Sequence, residues 1–327
     1  MNLLLTFDYE LFFGKPTGTV SRCILQPTKR LIALGQKHNV KFTFFIDIGF
    51  IMRLEALKDK FKALNEDYLQ ITAQIKELIN NGHDLQLHIH PHWDYAHFNG
   101  ENWEIDLDGH YKLADFDEAE SSSIIKRYKI ALEKLTGKKI TGFRAGGWCL
   151  QPFSQFYTTF KEAGIKKDST VFPGAKLESK HYYFDFRNAP TKGRYFFEDD
   201  LCMENKDGYF LELPIGGYKY HPLFFWRLYA LGRLFPSRHK MAGDGNFIAQ
   251  PGKKFTSLKK STWDHVSCDG YYAQKLNTIT NKFHSKGRSD LVIIGHPKSM
   301  TLFSLEKLDE YIGLQKNKHS FITLSEA

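Results

Sequence analysis

The stretch GHDLQLHIHPHW, residues 82–93, puts histidines at 88, 90 and 92 with Pro91 among them. Gly82 stops the segment before it, and DLQLH (84–88) alternates polar and apolar residues as a short strand does. If the strand ran on, His88, His90 and His92 would share one face. Pro91 argues against a paired strand there, because it has no N–H to give a ladder. It suits the first position of a helical turn, where that N–H is not needed. On this reading the strand ends at His88, and His88 and His92 approach one centre from a strand end and a turn start. Two neutral imidazoles with a carboxylate make a divalent site with open positions, as hydrolytic zinc uses. Either Asp8 or Glu10 would supply the carboxylate. A solvated polar loop is the plainer alternative.

Strands and helices alternate on either side. Strands are expected at 3–7 (LLLTF), 40–46, 84–88, 139–143, 209–214 and 289–297. Helices are expected at 27–39, 67–82, 121–137, 154–164 and 304–315. This alternation predicts a parallel sheet or a β/α barrel, in which reactive groups gather where strands end. Asp8 and Glu10 follow the first strand, the histidines the third, Arg144 the fourth and His296 the last, with Asp168 near the fifth. Each alone reads as an ion pair or a cap. Their coincidence at strand ends favours an enzyme.

Bulk properties set the frame. The 327 residues are 42% hydrophobic and 25% charged, as in ordinary soluble proteins. The 28 Phe and 16 Tyr fit an aromatic core or a sugar-binding surface. Four scattered cysteines form no CxxC pair, which suits a reducing compartment. The N-terminus, MNLLLTFDYE, lacks a basic leader, and no apolar run reaches the roughly 18 to 20 residues that span a bilayer. The expected address is the cytoplasm. Residues 219–260 hold nine Lys or Arg against Asp244 alone, and that surplus is the whole net charge of +8. HPLFFWRLYALGRLF (221–235) within it is apolar nearly all round. It reads as a buried helix or as one lying on an anionic membrane face, with Arg227 and Arg233 at phosphates. No nucleic-acid recognition motif accompanies the charge.

Five segments in order resemble the polysaccharide deacetylases, the NodB-homology or carbohydrate esterase family 4 group. TFDYE (6–10) is similar to the family's TFDDG and HIHPH (88–92) to its HxxxH. FRAGGW (143–148) stands for its arginine motif, DSTVFP (168–173) for its aspartate motif and IIGHP (293–297) for its final histidine motif. The resemblance covers residues 1 to about 214 and 286 to 325. It implies one catalytic domain over 1–327, a distorted (β/α) barrel of about seven strands with a basic, aromatic insertion at about 215–285.

It also implies metal-dependent removal of an N-acyl group from an amino sugar of a cell-surface polysaccharide or its precursor. Zinc is the expected ion, with cobalt, nickel or manganese as substitutes. By position, Asp8 is the general base, Arg144 orients it, His296 is the general acid and Asp168 tunes His296. Glu10, His88 and His92 hold the metal. Two positions depart from the pattern: Tyr9 stands for the family's second aspartate and Gly146 for its proline. Those departures leave open an exchange of roles between Asp8 and Glu10. They also leave open a fold-sharing carbohydrate-binding protein without turnover, or a deacylase of another amide, formyl or cyclic. The implied substrate is an N-acylated amino sugar, possible forms including a lipid-linked one met at the inner membrane face.

Overall fold

Seven parallel strands curl around a shared interior in the computed structural model, which describes residues 1–248 and 253–327. Apart from two short hairpins at 97–104 and 176–185, the strands in chain order are β1 (Asn2–Tyr9), β2 (Thr43–Asp47), β3 (Asp84–Ile89), β4 (Gly142–Ala145), β5 (Lys167–Asp168), β6 (Tyr195–Phe197), β7 (Phe210–Glu212), β8 (Gly217–Tyr220), β9 (Thr262–His265), β10 (Asp290–Gly295) and β11 (Ser320–Phe321). The main sheet runs β6-β7-β5-β4-β3-β2-β1-β10, with β11 alongside β1 and only β6 antiparallel to its neighbour. Its central strands are apolar and buried on both faces, as parallel strands covered by helices must be.

The ring closes without a regular ladder. Ile215, just past β7, bridges Val292 of β10, and Ser267 bridges Ile294. That irregular seam makes the barrel a distorted one. Helices α1 (Gln26–His38), α2 (Ile48–Leu57), α3 (Lys62–Asn80), α4 (Glu118–Thr136), α5 (Tyr157–Ala163), α6 (Pro222–Leu234), α7 (Leu276–Ser285) and α8 (Leu302–Gln315) surround it. Local chemistry fixes their ends. The Asp117 side chain accepts from Glu120 N at the start of α4, and Gly137 closes that helix at φ 66°.

The differences from the sequence reading are small but matter at the site. Helix α2 continues directly from the apolar run of β2, so no break in hydrophobicity marks it. Strand β3 extends to Ile89, beyond the expected stop at His88, and β4 is shifted so that Arg144 lies inside it. The β8–β9 hairpin and α6 occupy the expected insertion; residues 249–252 of it lie outside the described residues. The four cysteines are free. Among the described residues no helix is long and apolar enough to cross a membrane.

Candidate active site

Alternation along β1 sends Thr6, Asp8 and, just past its end, Glu10 to one side, and sends Tyr9 to the other. Tyr9 packs outward, where its hydroxyl donates to Gln74 Oε1 on α3 at 2.9 Å. Tyr9, the first of the two departures from the family pattern, is therefore a core residue, and Glu10 is the acid that faces the site.

Arg144 is completely buried and every edge of its guanidinium is engaged. Nη1 donates to Asp8 Oδ1 at 2.7 Å, Nη2 to Thr6 Oγ1 and Ser169 Oγ at 3.0 Å each, and Nε to the Ser169 carbonyl at 2.8 Å. The group lies 4.1 Å from the Phe45 ring centroid. Such a clamp leaves Asp8 one rotamer and one free oxygen, Oδ2. Burial pushes the Asp8 carboxyl up, but Arg144, His88 and His296 together hold it below the usual range, so it stays ionised.

His88 and His90 point their Nε2 atoms at the same oxygen, Glu10 Oε2, at 3.2 and 2.7 Å. His88 Nδ1 faces the Arg144 carbonyl oxygen at 2.8 Å, so it must carry a hydrogen and donate. In the neutral ring Nε2 is then a lone pair facing a carboxylate lone pair, and a proton or a cation has to lie between them. A carbonyl holding the far nitrogen of a histidine is also the support that metal-ligating histidines commonly have. The three donor atoms lie within 4.8 Å of one another, and all three residues are buried. An N, N, O set fits a divalent ion of the zinc type. Burial tends to lower His88, but Asp8, Glu10 and Asp47 raise it to about 8; burial, only partly offset by Glu10 and reinforced by His88 and Lys298, leaves His90 at about 4. The two rings do not both take a proton beside one acid.

The structure does not bring His92 into this group. Because β3 runs to Ile89 and His90 stays extended, positions 88 and 90 share the pocket face, and the turn that opens at Pro91 rotates the next histidine away. His92 is fully buried between Phe13 and Tyr111, and neither ring nitrogen has a hydrogen-bond partner among the described residues. Gly146 accommodates the ring that replaces it. A Cβ there would lie 2.5 Å from His90 Cε1 and 2.6 Å from Nδ1. We expect Gly146→Ala to displace His90 and lower metal affinity about tenfold, the size of a lost supporting contact, by titration against a chromogenic chelator; unchanged affinity would mean that the ring has other room.

Asp168 is not the partner of His296. It sits one strand further round, accepting from Thr170 Oγ1 and N at 2.7 and 3.1 Å, and is in register with Glu212. Burial raises both carboxyls, Glu212 strongly, which fits a proton shared by the pair. The acid on His296 is Asp269, in the irregular seam. Its Oδ2 lies 2.7 Å from His296 Nδ1, and its Oδ1 accepts from the His296 backbone N–H at 2.8 Å. This fixes Nε2 toward the site, 3.6 Å from Asp8 Oδ2. Burial would lower His296, but Asp269, Asp8 and Glu10 raise it. Lys298, also unforeseen, donates to Glu10 Oε1 at 2.7 Å and to the Leu11 carbonyl at 2.6 Å, holding the carboxylate in place. Burial works against ionised Glu10, but Lys298 and His90 keep its pKa well below the ordinary value.

These groups floor a cleft of about 770 Å³ whose walls include Trp148, Phe172, Tyr182 and Trp263. Trp148 has φ 61°, strained for a bulky residue, next to Gly147 at φ 58°. Strand–helix periodicity could expose Asp8, Glu10, His88, Arg144 and His296. No local signal marks Asp269 or Lys298.

No family model matches the chain, and no curated protein matches its sequence. Solved structures do match its fold. A Mycobacterium smegmatis protein assigned to the polysaccharide deacetylases superposes with a TM-score of 0.53 at 15% identity, over 99% of this chain and 87% of that one. The allantoinase PuuE gives 0.54 at 11% identity, over 99% and 88%. A Pseudomonas aeruginosa PAO1 protein, also assigned to the polysaccharide deacetylases, gives 0.53 at 13%, over 99% and 88%. The fold is the distorted barrel of that group.

Proposed function

We propose that this chain, with its polysaccharide-deacetylase fold, is a metal-dependent hydrolase that removes an N-acyl group from an amino sugar of a cell-surface polysaccharide or its precursor. The observation that carries the reading is the convergence of His88 Nε2 and His90 Nε2 on Glu10 Oε2, with Asp8 and His296 facing each other beside it. Glu10, His88 and His90 are the residues that would hold the ion. When bound, a divalent ion polarises an amide carbonyl and brings the pKa of water from ~15.7 to roughly 7.

The chain's own groups supply the rest. Asp8, locked by Arg144 and ionised, accepts the proton of the water that attacks the carbonyl carbon. As the C–N bond breaks, the nitrogen takes a proton from His296 Nε2; a carboxylic acid, which ionises in solvent, and a free amine leave, and the proton on Asp8 returns to His296. Asp269 favours the protonated form of that histidine and holds it correctly turned. The aromatic walls offer flat faces to sugar rings, and burial of the floor strengthens each of these electrostatic contacts.

Acetate release from short N-acetylhexosamine oligomers tests the reading. The metal-loaded chain should release acetate, chelation should stop it and zinc should restore it. Absence of release by chain of verified metal content would remove the proposal. Within it, Asp269→Asn should move the alkaline limb of kcat/KM to lower pH by about 1 unit, because a neutral partner no longer favours imidazolium. The sign follows from the cause: Asp269 raises His296, so the acid form now persists to higher pH than it would in the variant. A pH profile that does not move would show that Asp269 does not tune the proton donor.

A further inference from the structure

Helix α6 turns much of its apolar surface outward. Phe224 and Phe225 are buried, but Leu223, Trp226 and Leu234 are 53%, 58% and 70% exposed, and Phe235 just beyond is 54% exposed. Positions 223, 226, 227, 230, 233 and 234 follow the spacing of one helical face, so leucine and tryptophan share it with Arg227 and Arg233. Alongside lies the short helix Lys253–Lys259, tied by Trp226 Nε1 donating to the Leu258 carbonyl at 3.2 Å, and its Phe255 is 71% exposed. Arg227, Arg233, Lys259 and Lys260 have no acidic partner among the described residues. The one acid of this stretch, Asp244, is held by the backbone and hydroxyl of Thr19.

The inner side of the same helix faces a second cleft. Phe225, Leu228 and Tyr229 line about 890 Å³ that continues to Asp269 and His296, and it shares His265, Phe247 and His296 with the catalytic cleft. The outward stripe with Arg227 and Arg233 and the passage to the proton donor thus belong to one helix, and Lys259 and Lys260 lie beside it.

We propose that this face docks peripherally on an anionic lipid bilayer, which sets the mouth of the α6 cleft at the headgroup level. The inference rests on the deacylase reading only for what is met there: an acylated sugar carried on a lipid anchor. Exposed leucine, tryptophan and phenylalanine side chains gain an apolar phase in a bilayer, and the arginines and lysines gain anionic headgroups. A nucleic acid would answer the charge but offers Leu223 and Leu234 nothing to bury in. The bilayer accounts for both.

Flotation of the whole chain with phosphatidylcholine vesicles, alone or mixed with phosphatidylglycerol in equal amounts, tests it. The chain should float with the mixed vesicles and remain below with the neutral ones. Arg227→Glu should weaken binding on the order of fivefold for each unit of charge lost, and Leu234→Ser with Phe235→Ser by about tenfold or more. Acetate release from soluble oligomers should be the same in all three chains, since none of these side chains touches the catalytic groups.

Any of these results overturns the proposal: no flotation; flotation that none of the substitutions weakens; or a dimer in lipid-free solution that Leu234→Ser with Phe235→Ser dissociates, which would make a second copy the occupant. Tight duplex DNA binding that only Arg227→Glu weakens, without flotation, would point to nucleic acid and equally overturn it. A chain that floats but releases no acetate leaves docking intact and removes the deacylase reading instead.

Discussion

Asp8→Asn should lower kcat by about 10³-fold while leaving the bound metal at its native stoichiometry. The size is that of a positioned general base, and the separation of the two readouts comes from the geometry. Asp8 spends Oδ1 on Arg144 and turns Oδ2 toward His296, whereas the residues that would hold the metal are Glu10, His88 and His90. An asparagine keeps the acceptor for Arg144 but has no lone pair basic enough to take a proton from water. The variant should also be less stable, by up to about 3–5 kcal/mol, because Arg144 is fully buried and loses its counter-charge. That loss has a pH signature. The folded Asp8 pKa is depressed, so the native pair contributes its stability above the ordinary carboxylate range and loses it as pH falls through the lowered value. The variant should lose less stability across that acid window than the native chain, the other depressed carboxyls such as Glu10 still contributing their share. Metal content by atomic spectroscopy, kcat on N-acetylhexosamine oligomers and melting against pH check the three parts. A kcat within tenfold of the native value would assign the base elsewhere.

Much of this arrangement is legible in the amino-acid order, and the parts that are not share a cause. Strand–helix alternation with acids, histidines and arginine at strand ends leads to the barrel and to Asp8, Glu10, His88, Arg144 and His296, because a parallel sheet delivers strand ends to one rim. Asp269 is hidden because its partner lies 27 residues away across the irregular seam, where no ladder or period announces a pairing. Lys298 follows a proline at a turn start and reads as a surface cation; only closure of β10 on β1 brings it to Glu10, 288 residues away. Asp168 stands at the expected strand end, yet its carboxylate is held by the Thr170 hydroxyl and N–H, and its register neighbour across the sheet is Glu212, not His296. Local patterns predict which rim a residue reaches. Sheet closure decides whom it meets there.

The largest test of that distinction is the choice between two histidines two residues apart. His90→Ala should lower metal affinity by more than about 100-fold, since changes one shell further out already cost roughly 10 to 100-fold. His92→Phe should leave affinity unchanged. The contrast follows from where β3 ends: one more extended residue keeps position 90 on the face of His88, and Pro91 then turns position 92 into an aromatic pocket. His90 is held near pKa 4 and is neutral, as a ligand must be, through the physiological range. His92 is buried with two nitrogens that bond to nothing among the described residues, so an apolar ring of similar shape removes an unsatisfied polar group at little packing cost. His92→Phe should therefore be as stable as the native chain or more so, within about 1 kcal/mol, and His90→Ala should lose zinc even where it remains folded. Competition against a chelator of known affinity, run beside denaturant melts of both variants, reads the two quantities separately. Loss of zinc from His92→Phe with retention in His90→Ala would reverse the assignment, and with it the claim that the extension of β3 selects the ligand.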